Sequence, residues 1–301
     1  FVITPETDLD DTIGKFIKKQ KPKLFCYTAV TTQYWQVTRV SKFIKNISND
    51  IFHVLGGHHA SLDSEQVIKD GSFDAICVGE GEKAIIELVE NIENYSDCGQ
   101  INPIKNIWYN DKKENKIIKN PSDSFRQDLD NLPNINRKIW DKFIKDPSDY
   151  PAILLGRGCP FKCTYCSNHA MAQLSEGKFV RFRSPENIIS EIEYILENYE
   201  GVSRIYLEVE TFGANRKASF RIFDALAEFN LKLENKINYG ANLALTSNFM
   251  RNEERCKELL EKARHANLTM MNIGLESGSE RMRKEVLLRP PYTNEELVRM
   301  C

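Results

Sequence analysis

The sequence predicts an α/β protein in two parts. Residues 1–95 read as a partial doubly wound sheet and 151–301 as a partial βα barrel, with 96–150 as a linker. Three observations predict this. Short apolar, β-rich runs alternate with segments of helical spacing in both parts. The runs end in glycines or polar loops, where such sheets and barrels place their ligands. The middle stretch breaks the alternation and is rich in Asn, Asp, Lys and Pro.

In the first part, 1–4 reads as a strand. Over 6–20, Leu9, Ile13, Phe16 and Ile17 recur at helical spacing on a charged background, and Pro22 stops the helix. The run 24–30 reads as a buried strand and 34–47 as a helix. A strand over 51–55 closes at Gly56 and Gly57, and 64–69 reads as a short helix. A strand over 75–78 ends in Gly79-Glu80-Gly81-Glu82, and 83–93 is an amphipathic helix. Short strands with helical crossovers imply a parallel sheet covered on both faces. Within the linker, Ile107-Trp108-Tyr109 and Lys116-Ile117-Ile118 suggest one hairpin.

In the second part, 152–155 is a strand running into a cysteine-rich loop. A helix over 185–199 has Pro185 at its first position and Ser184 as its cap. Then come a strand over 204–209, a helix over 217–229, a strand within 237–245, a helix over 252–265 and a strand over 269–275. That makes four βα repeats, the last unfinished. The final residues, 294–301, read as the first turns of a helix, and the first residue is Phe1. Both ends therefore read as cuts, and the chain is expected to be a fragment.

Composition excludes several classes. With 41 % hydrophobic and 28 % charged residues, the chain is not disordered. Lys and Arg total 41 against 43 for Asp and Glu, so no basic excess points to nucleic acid. No apolar run approaches the roughly 20 residues of a membrane span, and no signal peptide is visible. Of the eight cysteines, Cys26 and Cys77 lie in apolar runs and read as small core residues.

Cys159, Cys163 and Cys166 stand in the spacing C-x3-C-x2-C on the loop after the 152–155 strand. Clustered thiols without an export signal read as metal binding. Three thiolates on one short loop can hold three irons of a cubic iron–sulfur cluster and leave the fourth open. Two alternatives stand beside this. His169 could complete a Cys3His zinc tetrahedron, although zinc sites usually pair two separated knuckles. The cysteines could also be unrelated core residues, although the Gly, Pro and Lys around them suit a core poorly.

The wording Gly158-Cys159-Pro160-Phe161-Lys162-Cys163-Thr164-Tyr165-Cys166 resembles the radical S-adenosylmethionine (SAM) enzymes. Two later stretches, Arg181-Phe182-Arg183-Ser184-Pro185-Glu186-Asn187 and Gly274-Leu275-Glu276-Ser277-Gly278-Ser279, are similar to the branch with an N-terminal cobalamin-binding domain. The resemblance implies a Rossmann-like cobalamin domain followed by a radical SAM partial barrel. Cys159, Cys163 and Cys166 would hold a [4Fe–4S] cluster whose open iron takes the amino and carboxylate groups of SAM. Reductive cleavage of SAM would give a 5′-deoxyadenosyl radical that abstracts hydrogen from the substrate. Phe161 and Tyr165 would flank the adenine, and Glu276 is the candidate for a further polar SAM contact, or else a loop carboxylate capping the next turn. Relatives often carry two adjacent acids after the second barrel strand. Here the stretch is Glu208-Val209-Glu210-Thr211-Phe212, with Val209 replacing the first. Glu210 is then the expected contact to the SAM amino group, with Glu208 on the same strand face able to help.

Glycines at strand ends let backbone approach a ligand closely, or simply make tight turns. The bland reading is a sheet that binds nothing. By the resemblance, Gly56, Gly57, Gly79 and Gly81 would border the nucleotide tail of cobalamin, with the loop from Thr28 nearby. His58 and His59, adjacent in an extended run, would point apart and not share a metal.

The implied activity is that of a class B radical SAM methyltransferase: cobalamin-dependent methyl transfer to an unactivated carbon of a small-molecule, natural-product or lipid substrate. An electron donor such as flavodoxin or ferredoxin would be the partner, and an oxygen-labile cluster implies an anaerobic cytoplasm. The alternatives are a cyclase or rearrangement enzyme on the same scaffold, a methylthiotransferase, or a non-enzymatic cobalamin- or redox-sensing module.

Overall fold

A computed structural model of the chain describes residues 6–98, 102–111, 113–210, 212–213, 215–243 and 245–300. The strand expected over 1–4 lies outside them. The backbone divides into two compact units, one of Phe1–Arg126 with Ala170–Gly177, the other of Gln127–His169 with Lys178–Cys301.

In the first unit a π-type turn at Asp10–Gly14 continues into α1 (Lys15–Gln20). Lys21 turns left-handed, φ 47°, ahead of Pro22, whose ring disfavours helix in the residue before it. The unit continues with β1 (Leu24–Thr28), α2 (Tyr34–Ile47), β2 (Phe52–Gly56), α3 (His58–Leu62), α4 (Ser64–Lys69), β3 (Ala75–Cys77) and α5 (Glu82–Cys98). It ends in the hairpin of β4 (Ile107–Asp111) and β5 (Lys116–Lys119).

These strands form one sheet in the order β1-β2-β3-β4-β5. The first three are parallel, and the hairpin adds antiparallel through Ala75↔Tyr109 and Ile76↔Trp108. Helices cover both faces. Phe52 and Val54 pack with Leu88 and Ile92 of α5, while Leu55 packs with Val67 and Ile68 of α4. The hairpin expected within a linker is therefore part of the sheet. Ile107, Tyr109 and Asp111 are buried alternately, the period of a half-buried strand.

The strand expected to be buried over 24–30 is instead an edge. Only β2 pairs with β1 among the described residues, and Cys26 is exposed rather than core, whereas Cys77 is buried. His58 and His59 open α3 rather than lie extended. His59 is buried with its ring 4.2 Å from that of Tyr34, and His58 is exposed.

The second unit begins with β6 (Ala152–Leu154) and β7 (Gly156–Arg157). α6 (Asn168–Met171) starts in this unit and runs into the 170–177 segment of the first; the second unit resumes with β8 (Arg181–Phe182), α7 (Pro185–Asn198), β9 (Arg204–Glu208), α8 (Arg216–Leu231) and β10 (Asn238–Leu243). It closes with α9 (Ser247–Arg251), α10 (Glu253–His265), β11 (Leu268–Ile273) and α11 (Asn294–Met300).

Strands β6, β9, β10 and β11 lie side by side in chain order, all parallel, as in an arc of a βα barrel. One face of the arc packs on its helices: Ile153, Leu207 and Ala241 meet Ile188, Ile192, Phe223 and Leu259. Ser184 caps α7 as expected, its hydroxyl accepting from the Asn187 N–H at 3.1 Å.

Edge strand β6 has outward carbonyls to satisfy. Arg137 donates to the Ala152 carbonyl at 2.7 Å and Arg183 to that of Leu154 at 2.8 Å. Both guanidinium groups pair with the buried carboxylate of Glu191 on α7. Residues 170–177 pack with the first unit: Leu174 joins its core, and the Phe125 N–H donates to the Glu176 carbonyl at 2.9 Å. Among the described residues no helix is long and apolar enough to cross a membrane.

Candidate active site

The cysteine loop leaves β7 at a point where two backbones nearly touch. β7 pairs with β8, and Gly158 has φ +87° with room for no side chain. A Cβ there would stand 2.2 Å from the Phe179 carbonyl oxygen. Glycine is what allows this approach. Beyond it the loop folds on itself through Cys166 N–H to the Cys163 carbonyl, 3.1 Å. Thr164 donates from its N–H to Leu287 at 3.1 Å and from its hydroxyl to Val286 at 2.9 Å.

Cys159, Cys163 and Cys166 all line one cavity of about 320 Å³ at the carboxyl ends of the arc strands. Phe161, Tyr165, Glu208 and Glu210 line it too, with Asn242, Asn272 and Arg289. The thiols are free. Burial pushes the Cys159 thiol up, and the Phe161 N–H pulls it back. The Asn168 amide reaches the Cys166 sulfur at 3.5 Å.

Among the described residues no three His, Cys, Asp or Glu side chains converge closely enough to share one metal ion. His169, the donor a zinc site would add, is not among the residues lining the cavity. Three thiols spread around one cavity fit a polynuclear cluster, in which each bonds a different iron, better than a single tetrahedral ion.

Glu208 and Glu210 reach the cavity from alternate positions on and just beyond β9. Val209 between them is 1 % exposed in the helix-side core. The position where relatives were expected to carry an acid therefore faces away from the cavity here. Thr211 lies outside the described residues.

A polar chain crosses the arc behind Glu208. Asn242 donates to the Glu208 carboxylate at 3.3 Å, Tyr206 donates to the Asn242 carbonyl at 2.6 Å, and Asn272 donates to the Tyr206 hydroxyl at 2.8 Å. Sequence reasoning missed both asparagines. The signal available was their register, since Asn242 and Asn272 face each other across β10 and β11.

Glu276 has φ 61° and does not line the cavity. Its carboxylate accepts from Arg289 at 3.1 Å. Arg289 also donates to the Tyr165 hydroxyl and, at 2.8 Å, to the Gly274 carbonyl. This arginine, also missed, ties the cysteine loop to the turn after β11. Burial pushes the Tyr165 phenol up to about 12, against the pull of Arg289.

In the first unit Thr28 and Gly56 are register partners at the carboxyl ends of β1 and β2. Gly57, φ +90°, sits so close that a Cβ would stand 2.6 Å from the Thr28 hydroxyl. Gly79 and Gly81 follow β3, and the Gly79 N–H donates to Ser61 at 3.0 Å. The five residues thus gather along the carboxyl edge of the parallel strands, where open α/β sheets bind ligands. Ser175, from the 170–177 segment, lies beside Gly79.

The family model of the radical SAM superfamily matches residues 153–301, and that of the B12 binding domain matches 3–89. The anaerobic magnesium-protoporphyrin IX monomethyl ester cyclase of Rubrivivax gelatinosus is 28 % identical over 93 % of this chain and 48 % of its own length. An uncharacterized methyltransferase of Pyrococcus horikoshii is 28 % identical over 90 % of this chain and 55 % of its own. The chain thus spans about half the length of these relatives.

The structure of the cobalamin-dependent SAM radical enzyme OxsB, with aqua-cobalamin and SAM bound, superposes with a TM-score of 0.72 at 21 % identity. That match covers 96 % of this chain and 40 % of OxsB. The two domains imply the cofactor set expected above: a [4Fe–4S] cluster, SAM and cobalamin. With both domains in one chain and in this order, the protein belongs among the cobalamin-binding radical SAM enzymes.

Proposed function

We propose that the protein transfers a methyl group from cobalamin to an unactivated carbon, using a radical generated from SAM. The supporting observation is the single cavity lined by the three cysteines, Phe161, Tyr165, Glu208 and Glu210. When bound, the cluster and SAM supply one-electron cleavage and hydrogen abstraction, and cobalamin supplies the methyl group.

The chain's own residues bind and orient. Cys159, Cys163 and Cys166 would hold three irons of the cluster, and with no fourth thiolate on the loop the fourth iron would be open. Phe161 and Tyr165 flank the adenine. Glu210 takes the amino group, and Glu208, braced by Asn242, supports it. Glu276 acts through Arg289, which it holds against the cavity wall. Thr28, Gly56, Gly57, Gly79 and Gly81 border the cobalamin nucleotide tail. The substrate is a small molecule, a natural product or a lipid, and a flavodoxin or ferredoxin in a reducing cytoplasm delivers the electron.

Ring closure is the second reading, since a cyclase and a methyltransferase are equally similar relatives at 28 % identity. Products separate the two. Anaerobic turnover with SAM and a reductant is expected to give S-adenosylhomocysteine alongside 5′-deoxyadenosine. 5′-Deoxyadenosine alone would favour ring closure, and neither product would refute both. Cys163→Ala should abolish 5′-deoxyadenosine.

A further inference from the structure

The segment leading into β6 is amphipathic in an inverted sense. Arg137 and Asp141, four residues apart on two short 3-10 turns, face into their own unit. Arg137 is held by the Ala152 carbonyl and Glu191, and Asp141 accepts from the Tyr199 hydroxyl at 3.0 Å. The large apolar side chains around them face solvent. Ile135 is 57 % exposed, Ile139 56 %, Trp140 49 %, Phe143 39 % and Ile144 50 %. Scattered exposed apolar residues are ordinary, but five within ten positions form a patch that calls for a partner.

The charges around the patch identify that partner. Within 135–145 the exposed charges are all positive, Lys138, Lys142 and Lys145, while Asp141 is turned to the Tyr199 hydroxyl. The Lys142 ammonium sits 4.8 Å over the Phe143 ring, and the Trp140 and Phe143 rings lie 6.4 Å apart. Lysine is depleted at protein–protein interfaces. Two copies of this patch face to face would also bring their lysines together. An anionic bilayer suits each component: aliphatic chains enter the acyl boundary, the indole sits at headgroup depth, and lysines meet phosphates.

We propose that residues 135–145 form a surface that docks reversibly on an anionic membrane, lying on it without crossing it. The inference rests on this segment alone and is independent of the cavity chemistry.

The test is co-sedimentation of the protein with vesicles of phosphatidylcholine, alone or mixed with phosphatidylglycerol. Binding to the mixed vesicles is expected, weakening as salt rises. Trp140→Ser/Phe143→Ser and Lys138→Gln/Lys142→Gln/Lys145→Gln should each reduce it by about tenfold or more. The altered side chains are exposed, so both variants should keep the wild-type melting temperature. Failure of the wild type to sediment with anionic vesicles would overturn the proposal. So would undiminished binding by both variants. A wild type that ignores vesicles but self-associates, and becomes monomeric in the Trp140→Ser/Phe143→Ser variant, would assign the patch to a second copy instead.

Discussion

At the scale of single residues, β9 separates two kinds of position. Glu208 and Glu210 face the cavity, and Val209 faces the core. On the proposed contact between Glu210 and the SAM amino group, Glu210→Gln is expected to weaken SAM binding to the reconstituted protein about tenfold or more, with a smaller loss for Glu208→Gln. Isothermal titration compares them directly. Val209→Asp, which restores the adjacent acids expected in relatives, should not help. It would bury an unpaired carboxylate and lower stability by roughly 3 kcal/mol or more in urea melts.

The cysteines and both glutamates were legible in the sequence, because loop spacing and strand period are local. Asn242, Asn272 and Arg289 were not. Each is a lone polar residue without a motif, brought to the cavity only by strand register and by the return of the chain after β11.

At the scale of elements, buried polar groups lock helices to sheets. In β2, His53 is fully buried, its Nδ1 2.6 Å from the Ser41 hydroxyl of α2, and its backbone N–H donates to Asp74 at 2.8 Å. Burial, with Lys45 nearby, lowers its pKa from 6.5 to about 4. The folded state therefore keeps this ring neutral where the unfolded chain protonates it. Stability should rise with pH between about 4 and 6.5 and be lost as pH falls through that window, by at most about 3 kcal/mol from this group. The urea midpoint measured across that range should flatten in His53→Gln.

In the second unit, Glu191→Gln would leave Arg137 and Arg183 sharing a neutral partner and should cost about 3 kcal/mol, read by thermal unfolding. Ser184 and Pro185 announced the start of α7 in the sequence. The pairing of β4 with β3 was not announced, because it depends on contacts between residues some 30 apart rather than on local propensity.

At the scale of the whole molecule, the fold class was readable because apolar strands, glycine ends and helical crossovers repeat in both halves. The assignment of 170–177 to the first unit was not, since its anchors, Leu174 in a distant core and the Glu176 carbonyl on the Phe125 N–H, join residues far apart in sequence. Both proposed reactions, methyl transfer and ring closure, require that Cys159, Cys163 and Cys166 hold a cluster with one open iron. The most direct test is the EPR spectrum of the anaerobically reconstituted, reduced protein, recorded with and without SAM. A [4Fe–4S]+ signal that changes when SAM is added and is lost in Cys163→Ala is expected. Stoichiometric zinc with no cluster signal would contradict it.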